Sequence, residues 1–427
     1  MAAPAESTHT TGLAWLIWAL GAAHYFYAFF QRVTPSVIDQ ELMRDFAATG
    51  SELGSLGGAY FFTYAGLQFP LGILLDRYGP RRIMAVSALI AGIGSIGFGL
   101  AESLTPAIVG RLLVGAGVGV GLIGTMKLIM VWLPPSRFAT ITGITMFIGV
   151  VGALLGQTPV RVVVDVFGWR ETVIWAGAFG LLLAAAIWLI VRDGEKGTIA
   201  KHETLTRVWA GLRSILANPQ TWYLGFYSAM LSAPILTFTT LWGSTFARES
   251  YGLAPDMAVF SMSVALAGFG LGLPSGGWAS DQLGQRKPPL WAGSILCLIS
   301  WLIILCWPQP PLVAALVMFF INGLASGWVV TVFALAREVN LPRFGGSVVG
   351  FINMMGIGGV AILQPFTGFL LDQLWDGTIQ NGVRVYSDSA LRQAFLVFPA
   401  CSAVAVASCF FMRESHNEQV VVEATAA

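Results

Sequence analysis

The segment GILLDRYGPRR, residues 72–82, returns 205 positions later as GWASDQLGQRK, residues 277–287. Gly72, Asp76, Gly79, Arg81 and Arg82 match Gly277, Asp281, Gly284, Arg286 and Lys287 at that one offset. A second set, Gly143, Gly149, Gly152, Gln157 and Asp165, matches Gly350, Gly356, Gly359, Gln364 and Asp372, now 207 apart. The chain therefore reads as a duplicated unit. Its solvent follows from composition: apolar residues make up 56% and charged residues 11%, against roughly 25% charged in a soluble domain. This is a membrane protein.

Windows of about 20 residues, enough to cross a hydrocarbon core of roughly 30 Å, give twelve spans. They lie near 13–35, 53–75, 82–101, 105–132, 138–163, 172–191, 221–246, 257–279, 289–307, 311–336, 345–371 and 391–412. Long, unalternating apolar runs favour helices over barrel strands. The expected organisation is an N-terminal tail (1–12), a six-helix unit (13–191), a charged central loop (192–220), a second six-helix unit (221–412) and a disordered tail (413–427). With the N-terminus cytoplasmic, fourteen of the 23 Lys and Arg fall in or beside cytoplasmic segments. That bias predicts a multi-pass protein of the bacterial inner membrane with both termini inside. The first span, with no Lys or Arg before Arg32, reads as a retained helix rather than a signal peptide. The four cysteines lie in spans without metal-ligand spacing, so no metal or cofactor is expected. No nucleophile–base pair and no phosphate loop occurs, which argues against enzymatic chemistry and direct ATP use; nor does anything point to nucleic acid.

The loop at 72–82, with its weaker copy, resembles the cytoplasmic loop signature of the major facilitator superfamily, and GRLLVGAGVGVG (110–121) resembles that superfamily's fourth-span motif. The resemblance implies an all-α membrane protein in which two pseudo-symmetric six-helix bundles rock about a central cavity. It also implies a monomer. Charge pairs at Asp76, Arg77, Arg81 and Arg82 would latch the bundles when the cytoplasmic side is closed. Exposed pairs worth about 0–1 kcal/mol each suit a breakable latch. The second copy keeps Asp281 and Arg286 but has Gln282 where the first has Arg77, so equal roles are not implied. Glycine runs in the fourth and eighth spans suggest close, slidable helix contacts, and static packing explains them equally well.

Charge inside a span costs several kcal/mol unless it faces protein, water or a partner. Four basic residues stand there, all in the first half: Arg32, Arg111, Lys127 and Arg161. By position, Arg32, Arg111 and Arg161 belong to the outer third. Asp165 and Asp372 mark outer helix ends, and the spans hold almost no other acid. Uncompensated cations attract anions, and an arginine fork suits carboxylates. Each cation also has a plainer reading. Arg161 is one turn from Asp165, Arg111 matches a structural or coupling arginine of the family, and Lys127 is able to snorkel.

On the first helix, His24, Tyr27 and Gln31 share one face with Arg32 at its margin, and Tyr60, Tyr64 and Gln68 repeat the pattern on the second. These stripes are expected to line the cavity. The second half offers neutral groups, among them Tyr227, Trp328, Asn353 and Gln364, and Gln157 is a further candidate in the first. His24 is the candidate for proton coupling, with a hydrogen bond to a neighbouring tyrosine as its alternative; uniport and anion exchange stay open. FYAFFQRVTPSVI (26–38) resembles the opening helix of a subgroup that includes lysosomal dipeptide carriers and phagosomal nutrient transporters. That likeness implies amino acids, short peptides or related metabolites as cargo. The function expected is inward transport of a small organic anion or carboxylate-bearing nutrient. Export of amphipathic compounds, and a non-transporting receptor on a transporter fold, are the rival readings.

Overall fold

The computed structural model describes residues 12–134, 138–193, 213, 215–341 and 344–420. Its helices are α1 (Gly12–Val33), α2 (Asp39–Phe46), α3 (Gly50–Tyr78), α4 (Pro80–Gly99), α5 (Leu104–Val118), α6 (Gly121–Trp132), α7 (Phe138–Leu155), α8 (Thr158–Phe167) and α9 (Trp169–Ile190) in the first half. The second half holds α10 (Pro219–Thr237), α11 (Gly243–Tyr251), α12 (Pro255–Leu283), α13 (Lys287–Cys306), α14 (Leu312–Gly327), α15 (Val330–Glu338), α16 (Gly345–Gln373), α17 (Asp388–Ala394) and α18 (Val397–Ser408). A small antiparallel hairpin, β1 (Ile379–Gln380) with β2 (Val383–Arg384), precedes α17. Most of the 192–220 connection lies outside the described residues.

Among the described residues eleven spans are long and apolar enough to cross a membrane. The helix α3 has 29 residues, about 43 Å at 1.5 Å per residue, which is also long enough to cross. Leu182 and Leu189, 70% and 76% exposed, mark the lipid-facing side of α9. Several spans are broken. Between α1 and α2 the chain makes a 3-10 turn at Thr34–Ser36, and between α10 and α11 a π turn at Phe238–Trp242. Proline causes the first break, because Pro35 lacks the N–H that would bond the Gln31 carbonyl. Broken helices survive in lipid where protein satisfies the freed groups. Here Thr34 Oγ1 donates to the Phe30 carbonyl at 3.0 Å, Ser36 Oγ to that of Val33 at 2.8 Å and Arg111 Nη1 to that of Gln31 at 2.9 Å.

Most glycines of the fourth and eighth spans work inside each half, although Gly270 faces Val150 of the other. A Cβ on Gly115 would lie 2.1 Å from the Tyr60 carbonyl oxygen, and one on Gly268 2.2 Å from that of Phe320. The closest contact between halves is elsewhere, where α3 runs along α16. A Cβ on Gly368 would lie 2.0 Å from the Gly50 carbonyl oxygen, and one on Gly54 2.5 Å from that of Gln364. The tail expected to be disordered is docked over 413–420. Gln419 Nε2 donates to the Asn340 carbonyl at 2.6 Å, and the Val420 N–H to that of Glu338 at 2.8 Å. Unpaired carbonyls at the end of α15 give it a place to bind.

Candidate functional site

Arg32 sits in the last turn of α1, 5% exposed. Its guanidinium carbon lies 4.2 Å from the Phe29 ring centre, 5.2 Å from Tyr64 and 5.8 Å from Phe61. Its Nε has no partner, and no described carboxylate pairs with it. Tyr64 lies fourteen residues from either end of α3, so the cation stands beside the middle of that helix. The chain does not leave the bundle after Pro35; Thr34 through Asp39 remain buried and α2 completes the span. Aromatic faces stabilise the cation by their quadrupoles but leave its charge uncompensated.

The polar stripe on α1 points elsewhere. His24 Nε2 donates to the Gly117 carbonyl at 3.2 Å. Gln31 Nε2 donates to the Tyr27 hydroxyl at 2.8 Å and to Ser95 Oγ at 2.9 Å, and Ser95 Oγ in turn donates a hydrogen bond to the Val173 carbonyl at 2.8 Å. These three groups join α1 to α4, α5 and α9 inside the first half, so the expectation that they line the cavity is corrected. Hydropathy marks a polar face; it does not distinguish a helix–helix seam from a water-filled path. Gln31 and Arg32, about 100° apart on the helix, face different neighbours.

Tyr60 is also interior. Its hydroxyl donates to the Ala28 carbonyl at 2.8 Å, and the Arg111 guanidinium lies 5.0 Å from its ring centre. Arg111 is fully buried. By bonding the carbonyl that Pro35 leaves free, it places a positive charge at a helix C-terminus, where the dipole favours one. It thereby fixes the break that presents Arg32. Arg161 is bound by Glu41 at 2.9 Å, by Asp165, and by the Val37 carbonyl at 3.0 Å, which is its plainer reading. Tyr227 bonds the Leu290 carbonyl at 2.7 Å within the second half, and Trp328 Nε1 bonds Ser275 at 3.2 Å; neither approaches Arg32's rings. Lys127 stands half-buried in α6.

Four expected residues meet across the halves. Asn353 Nδ2 donates to Gln68 Oε1 at 2.9 Å, four residues beyond Tyr64 on α3. Gln157 Nε2 donates to the Thr239 carbonyl at 3.1 Å and its Oε1 accepts from Ser263 at 2.8 Å. Gln364 Nε2 donates to Thr240 at 2.8 Å, while its Oε1 has no partner and lies against Gly57 of α3.

One face carries the motif loops. There, a Cβ on Gly79 (φ +80°) would collide with Asp193, whose carboxylate accepts from the Arg81 N–H at 2.8 Å; Arg81 Nε bonds the Trp188 carbonyl at 2.9 Å. Gly72 has open space around it, Arg77 lies over Tyr78 at 5.3 Å, and Arg82 is exposed. The Asp76 side chain lies outside the described residues. In the second loop Arg286 binds Asp281 at 2.8 Å and Glu338 at 2.7 Å, and Glu414 accepts from the N–H groups of Arg286 and Lys287, both at 2.8 Å. These bonds run within each half, so in this conformation they latch neither bundle to the other.

The opposite face is joined by groups the sequence did not single out. Asp39 accepts from Arg248 at 2.9 Å and from Thr245 at 2.6 Å, with side chains only 4% and 11% exposed for the ion pair. Asp372 accepts from the N–H groups of Gly50 and Ser51 at 2.8 and 2.7 Å, capping α3 from the other half. Asp372 was legible only as a helix end, because pairing across a duplicated fold leaves no local spacing.

Two helical halves joined along α3 and α16, with helices broken beside a buried cation that has no described carboxylate partner, fit a transporter. The Major Facilitator Superfamily profile matches residues 17–363 and 245–426, and the chain belongs to that superfamily. It is not an enzyme. Among its relatives, the hexuronate transporter of Bacillus subtilis is 24% identical over 81% of this chain and 85% of its own length. The probable sulfoacetate transporter SauU of Cupriavidus necator is 31% identical over 61% of this chain and 64% of its own. A crystal structure of a bacterial homologue of the human lysosomal transporter Spinster, in an inward-facing and unoccupied conformation, superposes with a TM-score of 0.79 at 18% identity. The match covers 94% of this chain and 97% of that one.

Proposed function

We propose that this protein carries a small organic anion of the sugar-acid or sulfonate type into the cell, with Arg32 as the group that binds its carboxylate or sulfonate. The observation that carries the reading is a buried guanidinium with no described carboxylate beside it and its Nε unpartnered, set among the rings of Phe29, Phe61 and Tyr64 and the Tyr60 side chain. A buried cation without a counter-ion is costly, and an arriving oxyanion offers it two hydrogen bonds and the missing charge. The names of the hexuronate and sulfoacetate carriers support the same class. Amino acids and peptides, implied by the opening-helix likeness, fit less well, because their ammonium would meet Arg32 with no described acid beside it.

The basic face is assigned to the cytoplasm by its Lys and Arg. Asp39, Arg248 and Asp372 then close the outer side, and the Gln68–Asn353 bond is the nearest tie on the inner side. Transport follows as exchange between this outer-closed form and one in which the outer bonds part and the cytoplasmic loops meet.

The test is thermal stabilisation of the purified protein by D-glucuronate, sulfoacetate, amino acids, dipeptides and cationic amphiphiles. An anion is expected to stabilise the wild type, with affinity at least tenfold weaker in Arg32→Gln, a loss of about 1.4 kcal/mol or more. Stabilisation by cations alone, unchanged in Arg32→Gln, overturns the reading.

A further inference from the structure

The outer face holds a second cluster of arginines. A crevice of about 230 Å³ opens between α2, α11 and the β1–β2 hairpin, so both halves build it. Arg44, Arg248 and Arg384 all line it. The partners of two of them do not. Arg44 uses its Nε for Asp45 at 3.2 Å, and Arg384 reaches Asp372 with one terminal nitrogen at 3.4 Å while stacking 4.2 Å from the Trp375 ring. Among the described residues neither fork makes another hydrogen bond.

Arg248 is different: Asp39 holds it with both oxygens, at 2.9 and 3.3 Å. That pair is also the main bond between halves on this face. Of the acids lining the space, Glu41 is engaged by Arg161 and Asp39 by Arg248, while Glu249, exposed, also acts on Arg248, so the three carboxylates of the lining offset its three arginines until one of them is displaced. An oxyanion entering from outside therefore meets two guanidiniums with spare donors and a third whose partner is exchangeable. Taking Arg248 from Asp39 would do two things at once: hold the anion, and undo the closure above Arg32.

Building on the transport reading, we propose that this crevice is an outer staging site for the transported anion. Arg44 and Arg384 capture its carboxylate or sulfonate, and displacement of Asp39 from Arg248 opens the way to Arg32. Steering by such charges acts on encounter and fades with salt.

The experiment uses Gln380→Cys, at the crevice rim, in a Cys306→Ser background, reconstituted right side out and labelled from outside with a membrane-impermeant maleimide. D-glucuronate and sulfoacetate are the probes, with glucose as the uncharged control. At least one anion is expected to slow labelling several-fold. Protection should vanish in Arg44→Gln/Arg384→Gln, return in part with Arg44→Lys/Arg384→Lys, and persist in Arg32→Gln. In uptake assays the Gln double variant should raise KM about fivefold with the maximal rate unchanged, and the difference should shrink in high salt. Normal uptake without protection, or protection that depends on Arg32 and not on Arg44 and Arg384, overturns the staging site. Protection without any uptake overturns the transport reading and, with it, the staging role.

Discussion

The outer and inner closures of this transporter are built from different chemistry. Outside, a desolvated carboxylate–guanidinium pair (Asp39–Arg248) and a carboxylate on a helix N-terminus (Asp372 on α3) hold the halves together. Inside, the nearest tie below Tyr64 is one amide–amide hydrogen bond, Gln68–Asn353. Charged, water-excluded bonds are costly to break singly, whereas a neutral hydrogen bond contributes about 1 kcal/mol net. With the orientation proposed above, the outer side is the more firmly held, and the inner side is expected to yield first. Both motif loops, folded on their own halves, agree with that asymmetry.

Breaking the outer pair should have the largest effect. Asp39→Asn leaves Arg248 buried and uncompensated, a cost of about 3–5 kcal/mol in the outer-closed form. Spin labels on the hairpin and on α2 should then report a large shift toward separated distances, and unchanged distances would show that the pair does not hold the closure. Asp372→Asn is expected to weaken the same face by about 1 kcal/mol, since a neutral amide keeps part of the cap and loses the charge. Faster outside labelling of cysteines near Gly50 is the readout. Gln68→Leu removes the inner bond and strands the Asn353 amide, worth about 1 kcal/mol or less where water enters. It should raise accessibility from the cytoplasmic side only; an equal rise outside would erase the proposed difference between the closures.

The smallest effect concerns the tail. Burial pushes the Glu414 carboxyl up, but the N–H groups of Arg286, Lys287, His416 and Ser415 outweigh it and hold its pKa below the ordinary glutamate value. Such a lowered group stabilises the fold above its unfolded pKa, and the contribution is lost as pH falls through the folded value. Glu414→Gln should lower the melting temperature slightly at neutral pH, with the difference closing below about pH 4. A constant difference across that range would show that the charge is not what docks the tail.

The sequence determined the solvent, the all-α membrane fold and the superfamily, because hydropathy and loop signatures are local. It also placed Arg32 among four cations in spans that hold almost no acid. Only the tertiary structure decided which polar groups face the path. His24, Tyr27 and Gln31 share Arg32's helix but seal the first half, since neighbours one residue apart point about 100° from each other and hydropathy is blind to what packs opposite. The outer closure was likewise out of reach. Asp39 and Arg248 are 209 residues apart, and their bond exists only because two breaks, at Pro35 and at Phe238–Trp242, bring α2 and α11 together between the halves.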